Sequence, residues 1–181
     1  MDKGEEVSDR QFLSFQVAGE EYAVGILRVR EIIEYGVVTR VPTTPPWVRG
    51  VFNLRGGVVP VIDLAVKFGL PQSETTSRTC IVIVEARLGD ETALMGVVAD
   101  AVSQVMELGP DDVEPPPPFG TRVRIDYLHG MAQAGRKFVL LLDLDRVLST
   151  DELVGVAESA RGAERADVAD AEALPPAAGG A

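Results

Sequence analysis

The chain has 181 residues, which suits one domain or two small subdomains. Hydrophobic residues make up 46% of it and aromatic residues only 6%, so we expect a core built mainly from Val, Leu and Ile. The formal net charge of −11 at pH 7 argues against a nucleic-acid-binding protein, which needs a basic patch to neutralise phosphates, and against docking on anionic lipid.

The sequence predicts a cytoplasmic protein that does not insert into a membrane. Its first residues are polar, and no apolar run approaches the roughly 20 residues that cross a bilayer. The single cysteine, Cys80, lies inside an apolar run and is interpreted as a small buried hydrophobic residue. A reducing compartment fits a chain that cannot form an internal disulfide.

The first half of the chain alternates short apolar segments with turns. Residues 1–10 are a charged, flexible lead-in, and residues 12–17 and 22–27 are expected to form a hairpin about the turn at 18–21. Residues 29–33 favour a strand over a short helix because they are rich in Val and Ile, and a further strand is expected at 37–41. Residues 47–49 could form one helical turn after the prolines.

The stretch from residue 50 to residue 70 predicts a strand, a tight turn, a second strand and a short helix. Two glycines follow Arg55, and glycine reaches positive φ without a Cβ clash, so Arg55 is expected at the tip of the turn. Asp63 ends the apolar run and is expected to cap a helix over 64–68 by accepting from its free N–H groups.

The second half repeats this plan after a polar linker at 71–78. Strands are expected at 80–84, 93–98 and 138–142, with residues 102–106 continuing the second of these, and residues 109–118 form a loop that ends in four prolines. Asp143 then precedes a short helical segment as Asp63 does, and Gly130 precedes Asp143 by the same distance as Gly50 precedes Asp63. The spacing indicates a structural duplication.

The predicted fold is therefore mainly all-β, with two small SH3-like, five-stranded β-barrel subdomains, short helices and a C-terminal helix. The first barrel spans about residues 11–70 and the second about 79–148, and an exchange of elements between them is allowed. A capping-box pattern at 149–152 opens the last helix, and residues 157–181 form an acidic tail, rich in Ala and Pro, that is expected to be disordered.

No set of residues assembles the chemistry of an enzyme. His129 has no second histidine or cysteine partner, so a metal site or a catalytic triad is not expected there. Asp63 and Asp143 are candidate paired carboxylates, but each has the sequence context of a helix cap, and a small hydrolase that uses them is a minor alternative. No phosphate-binding glycine motif is present, and neither a cofactor nor a metal is expected.

A binding module is the favoured interpretation. Arg55 at a turn tip can present a planar fork to a partner carboxylate, although it can also be a solvated turn residue. Val29 and Glu31 share one face of a strand if Arg30 points to the other, which suits a partner helix or, equally, protection of a sheet edge by a charge. Phe119 after the prolines is either an exposed anchor or part of the local core.

Several segments together resemble the CheW chemotaxis coupling proteins, over about residues 11–153. The most specific of them is the asparagine-leucine-arginine-glycine turn followed by the strand that ends at Asp63. The segments are FLSF at 12–15, EYAVGIL at 21–27, VREII at 29–33, VRGVFNLRG at 48–56 and VPVIDL at 59–64.

This resemblance implies a non-enzymatic adaptor of two small β-barrels. Such an adaptor links the cytoplasmic helical hairpins of chemoreceptors to a CheW-like regulatory domain of the histidine kinase CheA, so it would be recruited to membrane-associated receptor arrays. The alternative within the family is coupling in pilus or gliding motility, or in another kinase-linked pathway.

The resemblance also implies site residues. The receptor contact of the family lies in the groove between the barrels and carries over to Val29, Glu31, Gly50, Arg55 and, more weakly, Val102. The kinase-facing surfaces carry over to Val38 on the first barrel and Phe119 on the second. Four consecutive prolines before Phe119, and the acidic tail, depart from the family pattern.

Overall fold

The computed structural model describes residues 10–88, 90–116 and 125–148, with only the backbone of Leu88 and Ile125. Most of the predicted lead-in, the predicted kinase contact Phe119, the helix predicted from residue 149 and the acidic tail lie outside the described residues. The described residues form eleven strands, two short α-helices and three turns of 3₁₀ helix. The strands are β1 (Gln11–Val17), β2 (Glu20–Gly25), β3 (Val29–Glu34), β4 (Val48–Leu54), β5 (Gly57–Ile62), β6 (Cys80–Leu88), β7 (Glu91–Ala99), β8 (Ala101–Glu107), β9 (Val113–Glu114), β10 (Leu128–Ala134) and β11 (Lys137–Leu142). The α-helices are α1 (Leu64–Lys67) and α2 (Leu144–Leu148), and the 3₁₀ turns are Ile26–Arg28, Pro110–Asp112 and Ile125–Tyr127.

The strands form two sheets, which confirms the predicted all-β class. One sheet has six strands in the order β8-β1-β2-β11-β10-β9, and the other has five in the order β3-β6-β7-β5-β4. Neighbouring strands are antiparallel except for two parallel pairs, β2 with β11 and β5 with β7. The Val-rich and Leu-rich segments form short strands, and each sheet buries the apolar face of these strands.

The sheets do not coincide with the two halves of the chain. The hairpin β1–β2 from the first half joins β8 to β11, and the hairpin β6–β7 from the second half joins β3 to β5. Each sheet therefore contains strands from both residues 11–70 and residues 79–148, because each half contributes a hairpin to the sheet of the other half. The sheets have six and five strands, where five each were expected.

The duplicated plan is visible in detail. The Asp63 backbone N–H donates to Trp47 O, and the Asp143 N–H donates to Tyr127 O at the corresponding point. Asp63 Oδ1 also accepts from the Val66 N–H at 3.2 Å, and Asp143 Oδ1 accepts from the Arg146 N–H at the same distance. Both aspartates therefore cap the short helix that follows them, as the sequence predicts.

Four local predictions are wrong, all for reasons of long-range pairing. Residues 37–41 contribute only an isolated bridge, Thr39 to Val51, and residues 48 and 49 belong to β4 where a helical turn was expected. The proline loop at 109–118 contains β9, which pairs with β10 before the prolines begin. The strand at 102–106 does not continue its predecessor, because β8 crosses to the other sheet and pairs with β1.

The largest hydrophobic cluster lies between the two sheets and holds residues of both, among them Phe15, Tyr22, Ile62, Val82 and Leu142. Each sheet also encloses a smaller core of its own. In the five-stranded sheet that core is Val61, Ile81, Ile83 and Val98, with Ile33, Val38, Phe52 and Leu54 packed against it. Val, Leu and Ile supply most of these side chains, as the composition predicts.

Candidate partner-binding site

The turn between β4 and β5 places Arg55 in an unusual backbone conformation. Two residues, Arg55 and Gly56, connect the strands with φ values of 53° and 88°. Positive φ at both central residues is the type I′ pattern, which matches the twist of the strands and normally selects Asn, Asp or Gly. Asn53 Oδ1 accepts from the Gly56 N–H at 2.9 Å and fixes the turn. Arginine at the first position costs roughly 1 kcal/mol, and such strain collects at functional sites.

Arg55 meets Glu31 across the five-stranded sheet. Arg55 Nη1 lies 2.9 Å from Glu31 Oε2, and the two side chains are 78% and 26% exposed. Since β3 and β4 are the two edge strands of this sheet, the ion pair links opposite edges, and the sheet must curl to bring them together. Two residues that the sequence predicts for the receptor site are therefore direct neighbours.

An open cleft of about 490 Å³ lies beside this ion pair. A second ion pair borders it, with Arg30 Nη2 2.8 Å from Glu85 Oε2. Leu94 on β7 is 38% exposed and adds apolar surface. The full lining is Arg30, Glu31, Leu54, Arg55, Ile83, Glu85, Thr92, Ala93 and Leu94. Apolar surface framed by two ion pairs is suited to recognising a protein segment that has an apolar stripe and flanking charges.

The other predicted receptor residues lie elsewhere. Val29 packs against the cluster between the sheets, since a β-bulge between Val29 and Glu31 interrupts the alternation that would have placed them on one face. As a result Arg30 and Glu31 both line the cleft. Val102 is half-buried, lies opposite Phe15 in the pairing of β1 with β8, and packs against the same cluster.

Gly50 has a structural requirement of its own. Its φ is +146°, and a Cβ atom there would lie 2.2 Å from Thr39 O. Gly130 is the equivalent residue in the second half, where a Cβ atom would lie 2.6 Å from Glu114 O. In both halves the glycine therefore lets a neighbouring segment approach the bulged strand, and neither position needs a partner to explain it.

Val38, predicted to face the kinase, is half-buried and packs against the core of the five-stranded sheet. The adjacent Val37 is 90% exposed. Of these two valines, Val37 is therefore the one whose side chain a partner can reach.

Sequence reasoning missed the role of Arg49. Its Nε donates to Asp63 Oδ2 at 2.8 Å, and the two side chains are only 6% and 3% exposed. Burial alone would lower the pKa of the Arg49 guanidinium, but its interactions with Tyr35 and with the Asp63 carboxylate raise that pKa above its ordinary value. The one available signal was an arginine directly before the bulge glycine, 14 residues before the capping aspartate.

The equivalent pair in the second half is looser. His129 Nε2 lies 3.7 Å from Asp143 Oδ2, with side chains 62% and 16% exposed. Within residues 10–88, 90–116 and 125–148 there is no cluster of three His, Cys, Asp or Glu residues that could hold a metal ion. The two aspartates act as helix caps and ion-pair partners.

The structure is a two-sheet, all-β module with an open cleft bordered by two ion pairs, and comparison with known proteins places it in a family. The model of the CheW-like domain matches residues 11–152. The chain therefore belongs to the CheW family of chemotaxis coupling proteins, an adaptor and scaffold family. No helix in the described part of the chain is long and apolar enough to cross a membrane.

Individual relatives agree over most of their length. The chemotaxis protein CheW of Klebsiella aerogenes is 38% identical over 148 residues, which cover 82% of this chain and 87% of the relative. Protein FrzA of Myxococcus xanthus is 30% identical over 144 residues, which cover 78% of this chain and 87% of the relative. The crystal structure of the scaffolding protein TtCheW from Thermoanaerobacter tengcongensis superposes with a TM-score of 0.70 at 29% identity, over 80% of this chain and 90% of that one.

Proposed function

We propose that this chain is a non-catalytic adaptor that binds the cytoplasmic helical hairpin of a chemoreceptor in the cleft beside Arg55 and Glu31. It then presents that receptor to the regulatory domain of a CheA-type histidine kinase, at the cytoplasmic face of a receptor array. The observation that carries the proposal is the strained turn that holds Arg55 at the rim of the cleft, paired with Glu31 at 2.9 Å.

The cleft supplies the two features that a helix surface requires. Leu54, Ala93 and Leu94 offer apolar contact, which gives affinity when an amphipathic helix covers it. The pairs Arg55–Glu31 and Arg30–Glu85 place both charge signs at the rim, where complementary charges fix the register of the helix and exclude wrong partners.

The remaining predicted residues take different parts in the proposal. We place Gly50, Val29 and Val102 in support of the cleft, because they hold the strands and the cluster between the sheets. For the kinase we propose the loop that carries Val37 and Val38, with Val37 as the contacting side chain. Phe119 stays a prediction for the second kinase surface.

The test is to titrate the receptor hairpin and the kinase regulatory domain separately and to follow backbone amide shifts. We expect the receptor hairpin to shift the residues that line the cleft and the kinase domain to shift the loop at 35–41. If neither partner binds at micromolar concentrations, the adaptor function is wrong for these partners. If both partners shift the same residues, the assignment of two separate surfaces is wrong.

Coupling in gliding motility or another kinase-linked pathway is the second candidate, and among the matched relatives protein FrzA is one whose name is not that of a chemotaxis protein. The fold and cleft serve either pathway equally. Titration with receptor hairpins of the two pathways distinguishes them, because the charged rim of the cleft should bind its own partner at least tenfold more tightly.

A further inference from the structure

Strand β6 extends beyond its neighbour β3 at the point where it carries Glu85 to the cleft. The pairing of β3 with β6 begins at Val29 and Val84, because the residues before β3 form the 3₁₀ turn Ile26–Arg28. On its other side β6 continues in pairing with β7 as far as Leu88. From Glu85 onward, the edge of β6 that β3 leaves therefore needs other partners for its backbone polar groups.

Two side chains take the place of a neighbouring strand at this edge. Arg28 Nη1 donates to the Glu85 carbonyl at 3.2 Å, and the Arg87 N–H donates to Asp145 Oδ1 at 3.2 Å. Arg28 Nη2 and Asp145 Oδ1 also form an ion pair with each other. Because Glu85 and Arg87 are two residues apart on an extended strand, their backbone groups point to the same edge, and one ion pair closes it at both residues.

Asp145 stands on a helix whose position is fixed by burial. Its neighbours Leu144, Val147 and Leu148 on α2 are buried in the cluster between the sheets. The side chains of Arg28 and Asp145 are 33% and 41% exposed, so solvent screens their ion pair and the pair contributes little to stability. Its main consequence is therefore the position of β6.

We propose that Asp145 is a positioning residue for the cleft, an inference that rests on the proposed binding of a receptor helix there. It holds β6 directly at Arg87 and, through Arg28, at Glu85. The Glu85 carboxylate lies 2.8 Å from Arg30 Nη2, and both of these side chains line the cleft, whereas Asp145 does not. An ion pair that is already held in one geometry loses less conformational entropy when a partner binds, so Asp145 increases affinity without touching the partner.

The test is a double-mutant cycle in the titration of the receptor hairpin. Asp145→Asn removes the charge that holds Arg28, and Glu85→Gln removes the carboxylate in the cleft but keeps the backbone carbonyl. We expect Asp145→Asn alone to weaken the Kd about threefold to tenfold, and by less than about twofold in the Glu85→Gln background. An unchanged Kd, or an equal loss in both backgrounds, would overturn the positioning role.

A thermal melt and a control separate positioning from stability. Asp145→Asn should lower the Tm by no more than about 4 °C, because the ion pair is partly exposed. Asp111→Asn removes the same charge from an exposed residue outside the cleft and should keep both Kd and Tm. If Asp145→Asn does not fold, Arg28→Met takes its place in the cycle with the same expected outcomes, because it removes both contacts of the guanidinium.

A chain that binds no receptor hairpin would contradict the proposed function, and the free protein would then decide the role of Asp145. The readout is the NMR signal of the Arg30 guanidinium, whose partner is Glu85. We expect Asp145→Asn to shift this signal in the native background and to leave it unchanged in the Glu85→Gln background. An Arg30 signal that does not respond to Asp145→Asn would refute the positioning role.

Discussion

Arg55→Asn is the substitution that separates the recognition role of Arg55 from any structural role. Asparagine accepts the left-handed conformation more readily than arginine, so the turn between β4 and β5 is retained. The substitution removes the guanidinium and with it the contact to Glu31. It therefore changes the charge of the cleft without a change in the hairpin.

Two opposing effects on stability nearly cancel. Relief of the positive φ gains roughly 1 kcal/mol. The ion pair contributes about 0.2–1 kcal/mol, because Arg55 is 78% exposed and solvent screens it. The net change is within about 1 kcal/mol, which corresponds to a shift in Tm of no more than about 4 °C for a domain of this size. By contrast, a lost charge-assisted hydrogen bond to a partner weakens the Kd roughly tenfold to a hundredfold.

The assay is a thermal melt beside calorimetric titration of the receptor hairpin. Arg136→Asn is the matched control, since Arg136 is an exposed arginine in the two-residue turn between β10 and β11 and lies outside the cleft. We expect Arg55→Asn to lose affinity with little change in Tm, and the control to keep both. A fall in Tm above about 5 °C, or an unchanged Kd, would refute the recognition role.

Three further predictions compare the two halves or test the core. Gly50→Ala should lower the free energy of unfolding by more than about 2 kcal/mol in denaturant titration, because the added Cβ would lie 2.2 Å from a backbone oxygen at positive φ; a neutral result would show that the strands adjust. Asp63→Asn should lower the free energy of unfolding by about 3–5 kcal/mol in the same titration, because it leaves the buried Arg49 guanidinium without its carboxylate. Asp143→Asn, at the more exposed equivalent site, should lower it by about 1 kcal/mol or less, and equal losses would contradict this difference. Burial raises the pKa of the Cys80 thiol, so less thiolate is present at a given pH, and a thiol reagent at pH 8 should label Cys80 only after unfolding; rapid labelling of the native protein would contradict the burial.

The sequence predicted the features that depend on neighbours along the chain. The apolar run before Asp63, the helix it caps and the tight turn at Arg55 are all confirmed, because strand propensity, capping and turn geometry act over a few residues. The prediction failed at residues 37–41 and 48–49, where β-branched residues and prolines favoured one local structure and pairing with distant strands selected another.

The candidate site was only partly predictable for the same reason. Glu31 and Arg55 were selected separately, and their distance of 2.9 Å follows from the curl of a sheet whose edge strands lie far apart in sequence. Arg30 was expected on the opposite face from Glu31, yet a β-bulge brings both to the cleft. No local pattern located Leu94 relative to Arg55, because these residues belong to different halves of the chain.

By itself the sequence determined the kind of protein this is: an acidic, Val-rich and Leu-rich all-β chain with a duplicated plan, in which an apolar strand is followed by an aspartate that caps a short helix. Period-two patterns, turn residues and caps are local signals, and they survive in any arrangement of the strands. The tertiary structure alone decided that each half lends its hairpin to the sheet of the other. Pairing between strands far apart in sequence is chosen by the shared burial of both apolar faces, which no local pattern encodes.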